Sequence, residues 1–166
     1  YCCDALHHRA IEELCRLKKI DSKKKALSIA CASLSQVSEY CKMNDRAFKF
    51  IKEHEVNYTF ILPASGALPR IFKQRKEVGV RLTQHPLGRL LAEHLGNPLI
   101  TSSLPVEDED EPEYCTNPEL IDERYGHSVY TVLDAGEVPL APSTIVDCTE
   151  EPFEVLRYGH GRLADE

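Results

Sequence analysis

Apolar residues recur at helical spacing at Leu6, Ala10, Ile11, Leu14 and Leu17, which predicts an amphipathic helix from about Ala5 to Lys18. Tyr1-Cys2-Cys3 ahead of it reads as the tail of an apolar strand, and Ala26 to Cys31 as a short strand. Ser33 to Lys42 predicts a helix, and Asn44 is placed to cap another that carries Ala47, Phe48 and Ile51. The aromatic and β-branched run Tyr58 to Leu62, ended by Pro63, predicts a strand, as does Val78 to Leu82. Pro86 opens a helix with Leu87, Leu90, Leu91 and Leu95 on one side, and Gly96 closes it. Leu99 and Ile100 begin a strand that runs into Thr101-Ser102-Ser103. Asn117-Pro118 reads as a helix start, and Val129 to Leu133, Thr144 to Cys148 and Phe153 to Leu156 as further strands. Strands and helices alternate, with hairpin spacing only at the C-terminus. The expected class is α/β (α+β), a mixed sheet with helices packed on it.

Composition narrows this picture. At 166 residues the chain is long enough for one well-cored domain, and it shows no repeat and no internal boundary, so residues 1–166 are read as one domain. No run approaches the ~20 apolar residues of a membrane span, so no membrane partner is expected. The chain begins at Tyr1 and not Met, which reads as a truncated N-terminus with any targeting segment out of view. Seven cysteines are scattered without a C-x-x-C pair, and seven histidines are equally dispersed. That argues against structural zinc, a disulfide framework or a tightly bound metal, and for a reducing cytoplasm.

The net charge of −7 is unevenly spread. Arg9, Arg16, Lys18, Lys19 and Lys23 to Lys25 cluster early; Arg70, Lys73, Arg75, Lys76, Arg81 and Arg89 cluster again against Glu77 alone. The acids gather instead in a solvated loop over residues 105–116, with Glu107 to Glu111 at its centre. Local positive potential in an acidic protein is suited to holding a polyanionic ligand.

Candidate chemistry centres on Pro142-Ser143-Thr144-Ile145-Val146-Asp147, followed by Arg157-Tyr158-Gly159. Two short strands joined by Thr149-Glu150-Glu151-Pro152 would bring the hydroxyls and the guanidinium to neighbouring strand ends. Hydroxyl donors beside a planar fork of N–H donors suit a phosphate or carboxylate. The same spacing also fits a plain hairpin with a surface arginine.

Other elements extend the pattern: Thr59 in the Tyr58 strand; Gly79, Arg81, His85 and Pro86 as a G-x-R strand followed by His-Pro; and Pro98 to Ser103. Taken in order with the P-S-T strand and the closing R-x-G, they resemble the YrdC/YciO family of threonylcarbamoyl-adenylate synthase-like proteins over essentially the whole chain. The resemblance implies a YrdC-like twisted mixed sheet flanked by helices around a concave basic cavity. It further implies a nucleotide-binding protein whose synthase relatives, nucleotidyltransferases, condense ATP, threonine and bicarbonate into threonylcarbamoyl-AMP for tRNA threonylcarbamoyladenosine modification. ATP, with Mg2+ as its counter-ion, would be a substrate. On this resemblance Lys19 and Arg81 take the catalytic places, and Thr59, Ser102, Ser103, Ser143, Thr144 and Arg157 bind ATP or substrate. An alternative is a non-catalytic module that holds tRNA or double-stranded RNA in the same basic cavity.

The chain departs from the synthase pattern at several points. The K-G-R-P element reads Arg16-Leu17-Lys18-Lys19-Ile20-Asp21, keeping a lysine and losing the arginine. Pro105 stands where an asparagine is expected, Glu55-Val56-Asn57 replaces Pro-Gly-Pro, and the strand carrying T-x-x-x-Y has no counterpart. These departures place the chain closer to the YciO branch.

Overall fold

In the computed structural model the described residues are 1–21, 27–73, 76–104, 112–138 and 142–161. The expectations resting on Lys23 to Lys25, Arg75, Pro105 and the acidic run Glu107 to Glu111 lie outside them. A mixed sheet of seven strands organises the chain: β1 (Cys2–Asp4), β2 (Ser28–Cys31), β3 (Tyr58–Pro63), β4 (Glu77–Leu82), β5 (Leu99–Thr101), β6 (Thr144–Asp147) and β7 (Glu154–Arg157). Their order is β1-β5-β2-β4-β3-β6-β7. The pairs β2–β4 and β3–β6 are parallel and the rest antiparallel.

The helices are α1 (His8–Leu17), α2 (Leu34–Tyr40), α3 (Asp45–Glu53), α4 (Arg70–Lys73), α5 (Pro86–Leu95) and α6 (Pro118–Tyr125). Local sequence chemistry sets their ends. The Asn44 side chain accepts from the Ala47 N–H, and Asn117 accepts from Glu119 and Leu120. Pro86 sits in the first turn of α5, and Gly96 ends that helix at φ 73°, the left-handed conformation glycine adopts at little cost.

Two compact units result: Tyr1–Ser102 with Pro142–Glu166, which holds the whole sheet, and Ser103–Ala141. In the second, a 3-10 turn at Pro112–Cys115 precedes α6, and the Arg124 guanidinium lies 3.5 Å over the Tyr114 ring. The expected strand from Val129 to Leu133 does not form. Its β-branched and aromatic residues favour extended backbone, but a strand needs a partner, and here Tyr130 is fully exposed and Leu133 half-exposed.

Alternation along the strands divides the sheet into two unlike faces. One face carries Ile29, Cys31, Tyr58, Phe60, Leu62, Val78, Val80, Leu82, Ile100 and Val146, all buried against Ile11, Leu14, Val37, Ala47 and Ile51 of α1 to α3. Each such large side chain contributes on the order of 1.5–3 kcal/mol by leaving water. On the opposite face α5 covers only part of the surface, through a small cluster of Ala30, Ala92 and Leu99. The rest of that face carries Ser28, Thr59, Arg81 and Thr101 beside Ile61 and Ile145, and its polar side chains form the candidate site. Among the described residues no helix is long and apolar enough to cross a membrane.

Candidate functional site

Strand register lines the polar face with small residues. Ser28 stands opposite both Gly79 and Thr101, and Ala30 opposite Arg81. Gly79 also faces Ile61, which by alternation puts Thr59 on the same face as Arg81. A Cβ on Gly79 would fall 2.5 Å from Ser28 Oγ and 3.3 Å from the Thr59 methyl, so this stretch of floor is closed to any side chain.

Arg157 reaches this face because of an irregularity in β7. Val155 pairs with Val146 of the core face, so simple alternation would send Arg157 to the core side as well. The register shifts between Ile145 and Val146, leaving Leu156 as an extra residue, and Arg157 pairs instead with Ile145 beside Thr59. Its Nε and Nη2 donate to the Ser143 carbonyl at 3.2 and 2.8 Å, and Nη2 lies 3.4 Å from Ser143 Oγ. Ser143 Oγ and Thr59 Oγ1 share a hydrogen bond of 2.7 Å, and both residues are buried. Arg157, Ser143 and Thr59 thus form one connected polar wall.

Arg81 lines a cavity of about 330 Å³ with Ala30, Val56, Asn57, Tyr58, Leu82, Thr83, Gln84, His85 and Thr101. Ion pairs elsewhere on the surface include His8–Glu12, Arg16–Glu13, Arg46–Glu151 and Arg89–Glu93. Among the described residues neither Arg81 nor Arg157 is paired with a carboxylate. Desolvation by the surrounding protein and the nearby Arg157 charge both lower the Arg81 pKa below its ordinary value. Two neighbouring guanidiniums without a counter-ion suit an anionic ligand that presents several oxygens. No group of three or more His, Cys, Asp or Glu side chains suited to a metal stands among the described residues.

The other sequence candidates lie elsewhere. Thr144 sits on the core side, its hydroxyl donating to the Gly161 carbonyl at 2.7 Å and accepting the Gly159 N–H at 2.9 Å. Ser102 extends the β1–β5 pairing through backbone bonds to Tyr1, and Thr101, one residue earlier, lines the cavity. Ser103 begins the second unit. Lys19 follows α1 at φ 50° with an exposed side chain and is outside the cavity lining. The lining also holds Asn57, Tyr58, Thr83, Gln84, His85 and Thr101, which the sequence does not single out as binding residues. Strict alternation from Leu99 is the signal that selects Thr101 over Ser102. Asn57 takes the place of the expected proline with φ 65°, a conformation asparagine tolerates, and its carbonyl accepts the Thr144 N–H at 2.9 Å.

Comparison with known proteins agrees with this fold. The Sua5/YciO/YrdC family model, described as telomere recombination, matches residues 1–159. The uncharacterized protein YciO of Escherichia coli is 30% identical over 162 residues, covering 96% of this chain and 77% of its own. Its crystal structure superposes with a TM-score of 0.85 over 98% of this chain and 79% of that one. A threonylcarbamoyl-AMP synthase of Vibrio vulnificus is 29% identical over 164 residues, 95% of this chain and 84% of the relative. P. abyssi Sua5, solved in complex with L-threonine, shares the fold at 24% identity and a TM-score of 0.80, over 95% of this chain and 46% of that one.

Proposed function

The chain belongs to the Sua5/YciO/YrdC family, and from that premise we propose that its Arg81 cavity binds the phosphate oxygens of a nucleotide. The reaction class that fits is adenylate formation, in which threonine, bicarbonate and ATP give threonylcarbamoyl-AMP, pyrophosphate and water. The observation that carries the reading is the pair Arg81 and Arg157, near each other and without a carboxylate partner among the described residues, on the face that also carries the Thr59 and Ser143 hydroxyls. A fixed array of donors costs no reorganisation as charge shifts onto phosphate oxygens during displacement of pyrophosphate. Arg157 already spends one edge on Ser143, which orients the fork, while the Arg81 side chain has no hydrogen-bond or ion-pair partner among the described residues. Arg81 is therefore the principal anion ligand and Arg157 the oriented second one. Mg2+ enters with ATP as part of the substrate, and threonylcarbamoyl-AMP would pass to tRNA modification.

Isothermal titration with MgATP tests this. Each charge-assisted hydrogen bond contributes about 1.5–3 kcal/mol, so Arg81→Ala should weaken binding roughly ten- to a hundredfold. Pyrophosphate release that requires both threonine and bicarbonate would establish the synthase reaction. Wild-type protein that takes up no ATP, or an Arg81→Ala variant that binds it equally well, would overturn the reading.

A further inference from the structure

The rim of the Arg81 cavity carries a donor that the proposed function leaves unused. His85 is the N-cap of α5, its Nδ1 accepting the Leu87 N–H at 3.3 Å, and the residue is part of the cavity lining together with Arg81. A ring whose Nδ1 lone pair accepts a hydrogen bond carries its proton on Nε2. Among the described residues Nε2 has no hydrogen-bond or ion-pair partner.

The platform beneath His85 is fixed. The Thr83 N–H donates to the Cys31 carbonyl at 3.0 Å, tying the segment to the end of β2. A Cβ at Gly88 would lie 2.6 Å from Thr83 Oγ1, so the first turn of α5 can approach Thr83 this closely only with glycine there. Pro86 fixes the start of the helix, whose first turn holds no acidic residue to offset its positive end. One nitrogen of the imidazole is thereby spent on folding, while the other is left unused on a residue that lines the cavity.

We propose that His85 is a ligand-contacting residue of this cavity: Nδ1 caps α5 while Nε2–H donates to an anionic oxygen of the ligand that Arg81 holds. The inference rests on the nucleotide reading, and the test separates the two. His85→Ser keeps a capping oxygen but is too short to donate across the rim, whereas His85→Ala removes both functions. MgATP and inorganic pyrophosphate are titrated into wild type and both variants, and thermal midpoints are recorded. His85→Ser should keep a near wild-type midpoint and bind MgATP roughly ten- to a hundredfold more weakly, the worth of one hydrogen bond to a charged oxygen. His85→Ala should lose both affinity and midpoint. On 15N-histidine-labelled wild type, the Nε2 resonance that is missing from the variants should shift on adding pyrophosphate. Affinity unchanged in His85→Ser, or a resonance that stays put, overturns the proposal; the second readout decides it even if the serine variant is unstable. A wild type that ignores MgATP refutes the nucleotide reading, and pyrophosphate then decides His85 alone: binding weakened by His85→Ser supports it, and no binding or equal binding overturns it.

Discussion

Ser143 and Thr144 are adjacent hydroxyls with opposite tasks, and they separate stability from binding. Thr144 is completely buried and satisfied at both ends by Gly159 and Gly161. Thr144→Val strands the buried Gly161 carbonyl and the part-buried Gly159 N–H, at about 1–3 kcal/mol for each buried group left without a partner. It should lower the urea midpoint while MgATP affinity stays within about twofold. Ser143→Ala removes the link between Thr59 and Arg157 and should do the reverse, costing affinity more than stability. A large loss of affinity in Thr144→Val would show that the assignment is wrong. The sequence alone puts both hydroxyls in one site, because composition does not say which face a side chain takes. That depends on strand parity, readable only once the strand's start is known. The buried thiols give a pH prediction. Desolvation raises the pKa of Cys41 and Cys148 to about 12, so the folded state holds these protons more tightly than the unfolded one. Stability from these groups is intact below the ordinary thiol pKa and falls above it, by up to roughly 1.4 kcal/mol per pH unit per thiol. Urea midpoints at about pH 8, 9 and 10 should decline, and a Cys41→Ala/Cys148→Ala variant should decline less steeply.

Among the elements, the bulge in β7 matters most to the site. Deleting Leu156 leaves Arg157 directly after Val155, and plain alternation then keeps it opposite Ile145 on the polar face, so MgATP affinity should stay near the wild-type level. Affinity that falls to that of Arg157→Ala would show that the bulge's own backbone geometry, and not strand parity, aims the guanidinium. A bulge is invisible in Phe153-Glu154-Val155-Leu156-Arg157, because nothing in that run says which residue is the extra one. Helix ends are legible for the opposite reason: Asn44, Asn117, Pro86 and Gly96 act on backbone groups within a few residues. The four-residue α4 is too short to show a period. Val129 to Leu133 carries a strand's composition without forming one, because strand propensity describes packing against a neighbour, and none is there among the described residues. Gly96→Ala should cost about 1 kcal/mol in thermal or urea unfolding through its left-handed φ, leaving the cavity untouched.

At the scale of the whole molecule, a net charge of −7 goes with a local pair of guanidiniums that have no carboxylate partner among the described residues. Such a surface focuses positive potential in a small volume and repels a long polyanion elsewhere. In filter binding at low salt, duplex RNA should bind far more weakly than MgATP; tight, steeply salt-dependent RNA binding would instead favour the RNA-holding module. The class of fold is readable from the alternation of elements, and the family from motifs in order. The cavity is not, because its lining comes from β2, β3, β4 and β5 at once. Along the chain, the polar wall joins segments made far apart in time. The parallel β3–β6 ladder brings residues 58–61 beside 144–147, and the Thr59–Ser143 bond spans 84 positions. Such distant pairings close large loops before they return any energy, so they form slowly and late. On this argument the β6–β7 hairpin docks late in folding, and the site exists only once it has. An anion held by Arg81 and Arg157 would bridge that seam, holding shut in the native state a junction that is slow to form.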